Sequence, residues 1–308
     1  MKFKNKDIYS VFHLEKTQKL LSALKIIFTP VALLFLAIFA YKSQEILFQL
    51  ITSVNIFDLC LSICMWVSLH FIMPLLAVVI FNSESPVISY RESLLSYANR
   101  LPARYIPGGI WHTVARAIDY HQIGVSRKNT MVYVILENSL SMSVALLLGS
   151  GLIMLGDGVE VPGLIMIMSL VGGISIIFLT PLFINRYFHY GNEINNILRV
   201  STIVKSLLIL LIFWFLAGLS FFVYFSAFTN ILQTYSYMDI SGTYIFSWAI
   251  GFMALFAPQG IGITEVVAAN IFNSPVGIGA IALVILGFRG LIFCADTLMW
   301  LFIITIRK

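Results

Sequence analysis

Charge is what this chain has least of. Only 11% of its 308 residues are charged, while 59% are hydrophobic. So few charges cannot cover the surface of a soluble fold of this size, which excludes an ordinary globular protein. Cysteine is also scarce, at three residues, Cys60, Cys64 and Cys294, all in apolar runs. That number supports neither a disulfide framework nor a metal set, and the three read as small core-filling thiols. No phosphate-cradling nucleotide loop is present, which disfavours direct use of ATP. The short polar/apolar alternation of membrane strands is missing too, and with it a membrane β-barrel.

What the chain does have is long, continuous apolar runs. A hydrocarbon core of about 30 Å takes roughly 20 helical residues. The runs at Leu21–Tyr41, Asp58–Phe81, Thr130–Gly156, Pro162–Ile184, Lys205–Phe228 and Val276–Ile306 meet that length. The expected fold is an all-α polytopic membrane protein with six full transmembrane helices. Pro30 is placed to bend the first, and tilt or a kink at Gly287 is expected of the long last one. No cleavable signal opens the sequence, so the first run is expected to stay as an anchor. Residues 1–25 carry six lysines, with Ile8, Val11, Phe12 and Glu15 at helical spacing. They read as a cytoplasmic basic leader, either an interfacial helix on an anionic leaflet or a solvated segment. The remainder, residues 26–306, reads as one integral domain.

Two stretches break the pattern. RLPARYIPGGIWHTVARAIDYHQIG, from Arg100 to Gly124, is too charged for a lipid-facing span and too apolar for a solvent loop. FAPQGIGITE, from Phe256 to Glu265, has the same shape: apolar approach, proline, glycines, polar helix start. Proline presets one backbone angle and glycine permits a tight reversal. Each stretch is expected to form a re-entrant helical hairpin, at about residues 94–124 and 242–272. An irregular turn in bare hydrocarbon leaves backbone groups unpaired at several kcal/mol each, so such turns belong inside a bundle or beside a wet cavity.

Basic residues give the orientation. Of 19 lysines and arginines, 17 fall on alternate connections, leaving Lys42 and Arg289. The positive-inside bias puts both termini in the cytoplasm of a plasma-membrane protein. The parity then requires the two hairpins to be inserted from opposite faces. Pro107 and Pro258 lie 151 residues apart, close to half the chain, which suggests an inverted repeat. The alternative is that the hairpins merely close a packed bundle.

Candidate site residues follow from those turns. Pro107, Gly108 and Gly109 form the first, and Pro258, Gly260 and Gly262 the second. His112, Arg116 and Asp119 share a helical face by spacing. Arg100 and Arg104, four apart, are placed to gather a lipid phosphate at the cytoplasmic mouth or to serve as positive-inside anchors. Glu137, Glu265, Arg289 and Asp296 stand in apolar surroundings, where an isolated charge is costly and needs a partner or water. The expected pairs are Glu265 with Arg289 and Glu137 with Arg116. Arg289 and Asp296, seven apart, are each expected to reach another helix. Every one of these pairs could instead be a packing device.

The run NRLPARYIPGGIWHTVARAIDYHQIGVS with Glu137, the stretch GFMALFAPQGIGITE, and FRG around Arg289 carry a resemblance. Together they resemble the lysylphosphatidylglycerol synthase transmembrane family, which includes the flippase-like membrane domain of MprF proteins. The resemblance covers essentially the whole chain. It implies a stand-alone lipid flippase or transporter, taking an anionic lipid or a polyprenyl-phosphate-linked glycan intermediate, associated with glycan or lipid biosynthesis enzymes. Two positions depart from the family pattern: Gln259 replaces a usual glycine, and Thr264 stands where arginine is common. The second departure removes an anion contact, and Gly109–His112 resembles the subgroup associated with surface glycans.

No cofactor, metal or nucleic acid is expected, and bond-making chemistry is not. Two rivals stand beside the transporter. One is a membrane transferase acting on lipid-linked phosphate, which needs His112, Asp119, Glu137 and Glu265 to converge. The other is a non-transporting scaffold for biosynthetic enzymes.

Overall fold

The computed structural model describes residues 54–105, 111–188, 192–228, 235–254, 257–272 and 277–306, with scattered positions from 34 to 52. The basic leader, most of the first expected span and the turn Pro107–Gly109 lie outside them. The described residues form an all-α membrane protein with five segments long and apolar enough to span a bilayer.

The first segment, Ile56–Phe81, is two helices, α1 (Ile56–Leu69) and α2 (Met73–Phe81). Pro74 explains the break: it has no N–H to give, and its ring crowds the carbonyl four residues back, that of His70. The chain tightens there, with Phe71 N–H donating to Ser68 O at 3.1 Å and Ile72 N–H to Leu69 O at 3.0 Å. A charged-capable side chain is thereby set at an irregular point within a span.

The stretch expected as the first hairpin forms α3 (Tyr90–Asn99), a 3-10 turn at Leu101–Tyr105, and α4 (Trp111–Gln122). Ser89 and Glu92 begin α3 with a reciprocal capping box. The Ser89 amide and hydroxyl donate to Glu92 and hold its carboxyl below the usual range. The long helices α5 (Arg127–Leu155) and α6 (Gly163–Tyr187) then run back to back, α6 starting directly after Pro162. Most of α6 is open on its outer side, where Leu164, Ile167, Phe178 and Leu182 are exposed, as a lipid-facing helix requires.

A short α7 (Asn192–Ile197) leads into α8 (Val200–Ser226), which begins five residues before the expected Lys205. The second hairpin is α9 (Tyr237–Met253), a turn at Pro258–Gly260, and α10 (Ile263–Phe272). Its first arm begins before the expected residue 242. Asp239 is buried in the first turn of α9, where it accepts from the Ser236 amide at 2.9 Å and the Gly158 amide at 3.1 Å. The last helix, α11 (Ile278–Ile306), runs unbroken through Gly287, beside which Tyr224 donates its hydroxyl to Val284 O at 2.7 Å.

Small residues bring the central helices together. A Cβ on Gly242 would meet the Ile153 amide at 2.9 Å, so α9 lies almost backbone to backbone on α5. Helices α1 and α8 cross through a reciprocal pair. Ser62 Oγ donates to Ser220 O at 2.8 Å, and Ser220 Oγ donates to Ser62 O at 3.0 Å. In lipid, where apolar burial gives helices little reason to associate, these contacts and close packing hold the bundle. Both hairpins sit within that frame.

Candidate functional site

The first hairpin is held by two ion pairs of different character. At its base, Arg100 forks onto Asp119, with Nε to Oδ2 at 2.8 Å and the guanidinium to Oδ1 at 2.5 Å. These bonds push the Arg100 proton affinity up from the ordinary guanidinium value. The pair is partly open to solvent, so its net worth is small. Deeper in, Arg116 of α4 forks onto Glu137 of α5 at 2.9 and 2.7 Å and reaches the Tyr133 hydroxyl at 3.1 Å. Arg116 is 4% exposed, and its guanidinium lies over the rings of Tyr97 and Tyr133 at 5.6 and 5.8 Å. Burial makes this pair different in kind: either charge alone would be stranded.

Arg104 takes a third carboxylate. Its guanidinium donates to Asp296 Oδ2 of α11 at 3.0 Å and to the Tyr97 hydroxyl at 3.3 Å. Asp296 also accepts the Tyr105 hydroxyl at 2.8 Å and meets His70 Nε2 at 3.0 Å. His112 stands edge-on to the Tyr97 ring at 5.6 Å, and its Nε2 is buried without a partner among the described residues. His112, Arg116 and Asp119 all lie in α4 at the expected spacing, but their contacts differ: Asp119 pairs with Arg100 and Arg116 with Glu137, while His112 and the Arg116 guanidinium both lie against the Tyr97 ring.

The second hairpin is built on left-handed backbone. Gln259, Gly260 and Gly262 have φ of +53°, +68° and +85°. A Cβ on Gly260 would lie 2.8 Å from the carbonyl carbon of Gly251, so the returning chain touches the backbone of the arm it left. Glu265, in the first turn of α10, is fully buried and accepts the Gly262 amide at 2.6 Å. Arg289 of α11 donates Nε to Glu265 Oε1 and a second N–H to the Gln259 carbonyl at 3.1 Å. Thr264 is 3% exposed and packs beside Gly251.

The hairpins meet. The Gln259 side-chain amide donates to the backbone carbonyl of Arg104, in the 3-10 turn of the first. Helix α11 fastens both, the second through Arg289 and the first through Asp296, two turns further along the same helix. The four hairpin arginine–carboxylate pairs leave no arginine of the site unneutralised. His112, Asp119, Glu137 and Glu265 engage different partners: the Tyr97 ring, Arg100, Arg116 and Arg289. Among the described residues no three His, Cys, Asp or Glu side chains are grouped to hold a metal ion.

His70, Tyr97, Tyr105 and Tyr133 belong to this site and were not singled out by sequence. His70 had a usable signal, an ionisable residue within an apolar span four positions before a proline. The tyrosines had none, since amphipathic rings are expected near membrane boundaries anyway. Compared with protein-family models, curated proteins and solved structures, the chain matches none. The fold and site define its class: a multi-spanning helical membrane protein with a buried, self-neutralised polar centre.

Proposed function

We propose that this protein is a lipid transporter that lets an anionic head group cross the membrane while its acyl or polyprenyl chains stay in lipid. The observation that carries the reading is the contact of Gln259 in the second hairpin with Arg104 in the first, both hairpins being tied to α11. Hairpins inserted from opposite faces, as the basic residues require, reach each other near the midplane, where a head group meets its highest barrier. Buried hydroxyls, imidazoles and ion pairs there offer polar contacts that hydrocarbon lacks.

An inverted repeat fits the same arrangement. Span, hairpin and span occur in that order twice. The returning arm of each hairpin pairs with the span after it, as Arg116 with Glu137 and Glu265 with Arg289. Arg116 and Glu265 are 149 residues apart, and Glu137 and Arg289 are 152. The two bridges thus occupy corresponding places with their charges exchanged. Repeats of this kind support alternating access by rocking about a fixed centre.

One observation favours a second reading, a packed scaffold for biosynthetic enzymes: each site arginine already has its carboxylate. Proteoliposomes decide. Labelled phosphatidylglycerol and a short-glycan polyprenyl phosphate are followed between leaflets for the wild type, Arg116→Ala and Glu265→Gln. Selective movement by the wild type, lost in folded variants, supports transport. No movement of either lipid, across imposed ion gradients as well, leaves the scaffold.

A further inference from the structure

Asp296 gathers polar groups from separate parts of the chain around one carboxylate. Arg104 and Tyr105, from the 3-10 turn of the first hairpin, reach Oδ2 at 3.0 and 2.8 Å. His70, from the break between α1 and α2, reaches Oδ1 at 3.0 Å. The Tyr97 hydroxyl supports two of these groups from behind, at 3.3 Å from the Arg104 guanidinium and 3.5 Å from His70 Nδ1. A guanidinium and a phenol donating to one anion, with an imidazole nitrogen close beside it, form a set equally suited to a phosphate oxygen.

The cluster is also asymmetric in access. Asp296 and His70 are 1% and 2% exposed, whereas Tyr105 is 40% exposed and the Arg104 side chain 26%. The donors can thus be reached from the hairpin side while the carboxylate stays enclosed. An ionised Asp296 neutralises Arg104 and repels a second anion. A protonated Asp296 loses both effects, and Arg104 is left without a counter-charge.

We infer that Asp296 is a displaceable internal anion holding the place of a phosphate group. A proton taken up on its carboxylate frees Arg104 and Tyr105 to bind the phosphate of a lipid head group. The groups facing Asp296 are His70 of the break between α1 and α2, Tyr97 of α3, and Arg104 and Tyr105 of the turn. Elsewhere along α11, Arg289 is engaged with Glu265 of α10, and Tyr224 of α8 donates to Val284 O. The inference rests on the transporter reading only in naming a head group as the source of the phosphate.

Binding to protein in zwitterionic nanodiscs tests it. The probes are short-chain phosphatidylglycerol and inorganic sulfate, neither of which titrates between about pH 5 and pH 8. With one proton taken up per ligand, wild-type affinity for the lipid probe rises as pH falls, by up to about tenfold per unit. Asp296→Asn binds tightly across the whole range, and Arg104→Gln abolishes binding in either background. His70→Gln keeps the slope, which places the proton on Asp296.

Wild-type binding that ignores pH, or an Asp296→Asn variant that keeps the wild-type slope, overturns the inference. If Asp296→Asn fails to fold, the wild-type slope and its loss with Arg104→Gln decide alone. Sulfate bound as tightly as the lipid overturns the head-group assignment. Proton-linked binding without lipid movement in proteoliposomes sinks the transporter reading and leaves this site standing; movement without such binding does the reverse.

Discussion

The side chain of Gln259 donates to the main-chain carbonyl of Arg104, so one hydrogen bond joins two hairpins 155 residues apart. Gln259 reaches it from a left-handed backbone, φ +53°, a conformation that costs a side-chain-bearing residue about 1–2 kcal/mol. Glycine at this position would relieve that strain and lose the bond. Gln259→Gly is therefore expected to be at least as stable as Gln259→Ala, which loses the bond and keeps the strain. Thermal unfolding in detergent ranks the two, and an alanine variant the more stable of the pair contradicts the geometry.

The same contact also predicts a cross-link. In a chain with Cys60, Cys64 and Cys294 replaced by alanine, Ala103→Cys together with Gln259→Cys is expected to be bridged by a short bismaleimide. Gel mobility after protease nicking between the hairpins reads it. Two fragments that separate would mean that the hairpins are apart in the membrane.

Buried Arg116 and Glu137 are each expected to be worse alone than absent together. Arg116→Met strands Glu137 and costs about 3–5 kcal/mol. Adding Glu137→Leu is expected to restore most of that loss. A double-mutant cycle on reversible unfolding measures the coupling, and additive losses would show that the two charges are independent.

The second bridge is expected to resist exchange. Glu265 accepts the Gly262 amide as well as Arg289, so Glu265→Arg with Arg289→Glu leaves that part-buried amide unpaired. Exchange at Arg116 and Glu137 breaks no backbone bond. Stability recovers further in the first exchange than in the second. Equal recovery would show that the Gly262 bond is dispensable.

Gly260→Ala places a methyl group against the Gly251 carbonyl carbon at 2.8 Å on a left-handed backbone. The expected loss is about 2–4 kcal/mol, against the about 1–2 that left-handed φ by itself costs for Gly262→Ala. Unfolding midpoints in one detergent compare them. A reversed order would mean that the hairpin arms are not in contact.

Much of this architecture is legible in the sequence, and for one reason. Hydrocarbon imposes continuous apolar runs of a minimum length, so spans such as Gly163–Tyr187 announce themselves and their ends fall within a few residues of where composition changes. The same rule exposes Glu137, Glu265, Arg289 and Asp296, because a charge in an apolar run must have a partner. The broken backbone is legible too, through Pro258 and the glycines after it. Asp239 is not, because a carboxylate near a span boundary reads as solvent-facing until the amides of Ser236 and Gly158 are seen to close on it.

Sequence by itself determined that this chain is helical, crosses the membrane several times and carries charges that need partners. Partner choice was decided only by tertiary structure. Nothing in the spacing of Arg100 and Arg104 separates a pair with Asp119 from one with Asp296, since those carboxylates lie on different helices. Nor does any local pattern bring His70, Tyr105 and Asp296 to one point. Periodicity fixes which residues share a helix face. Which face meets which is settled by close packing among all the helices at once.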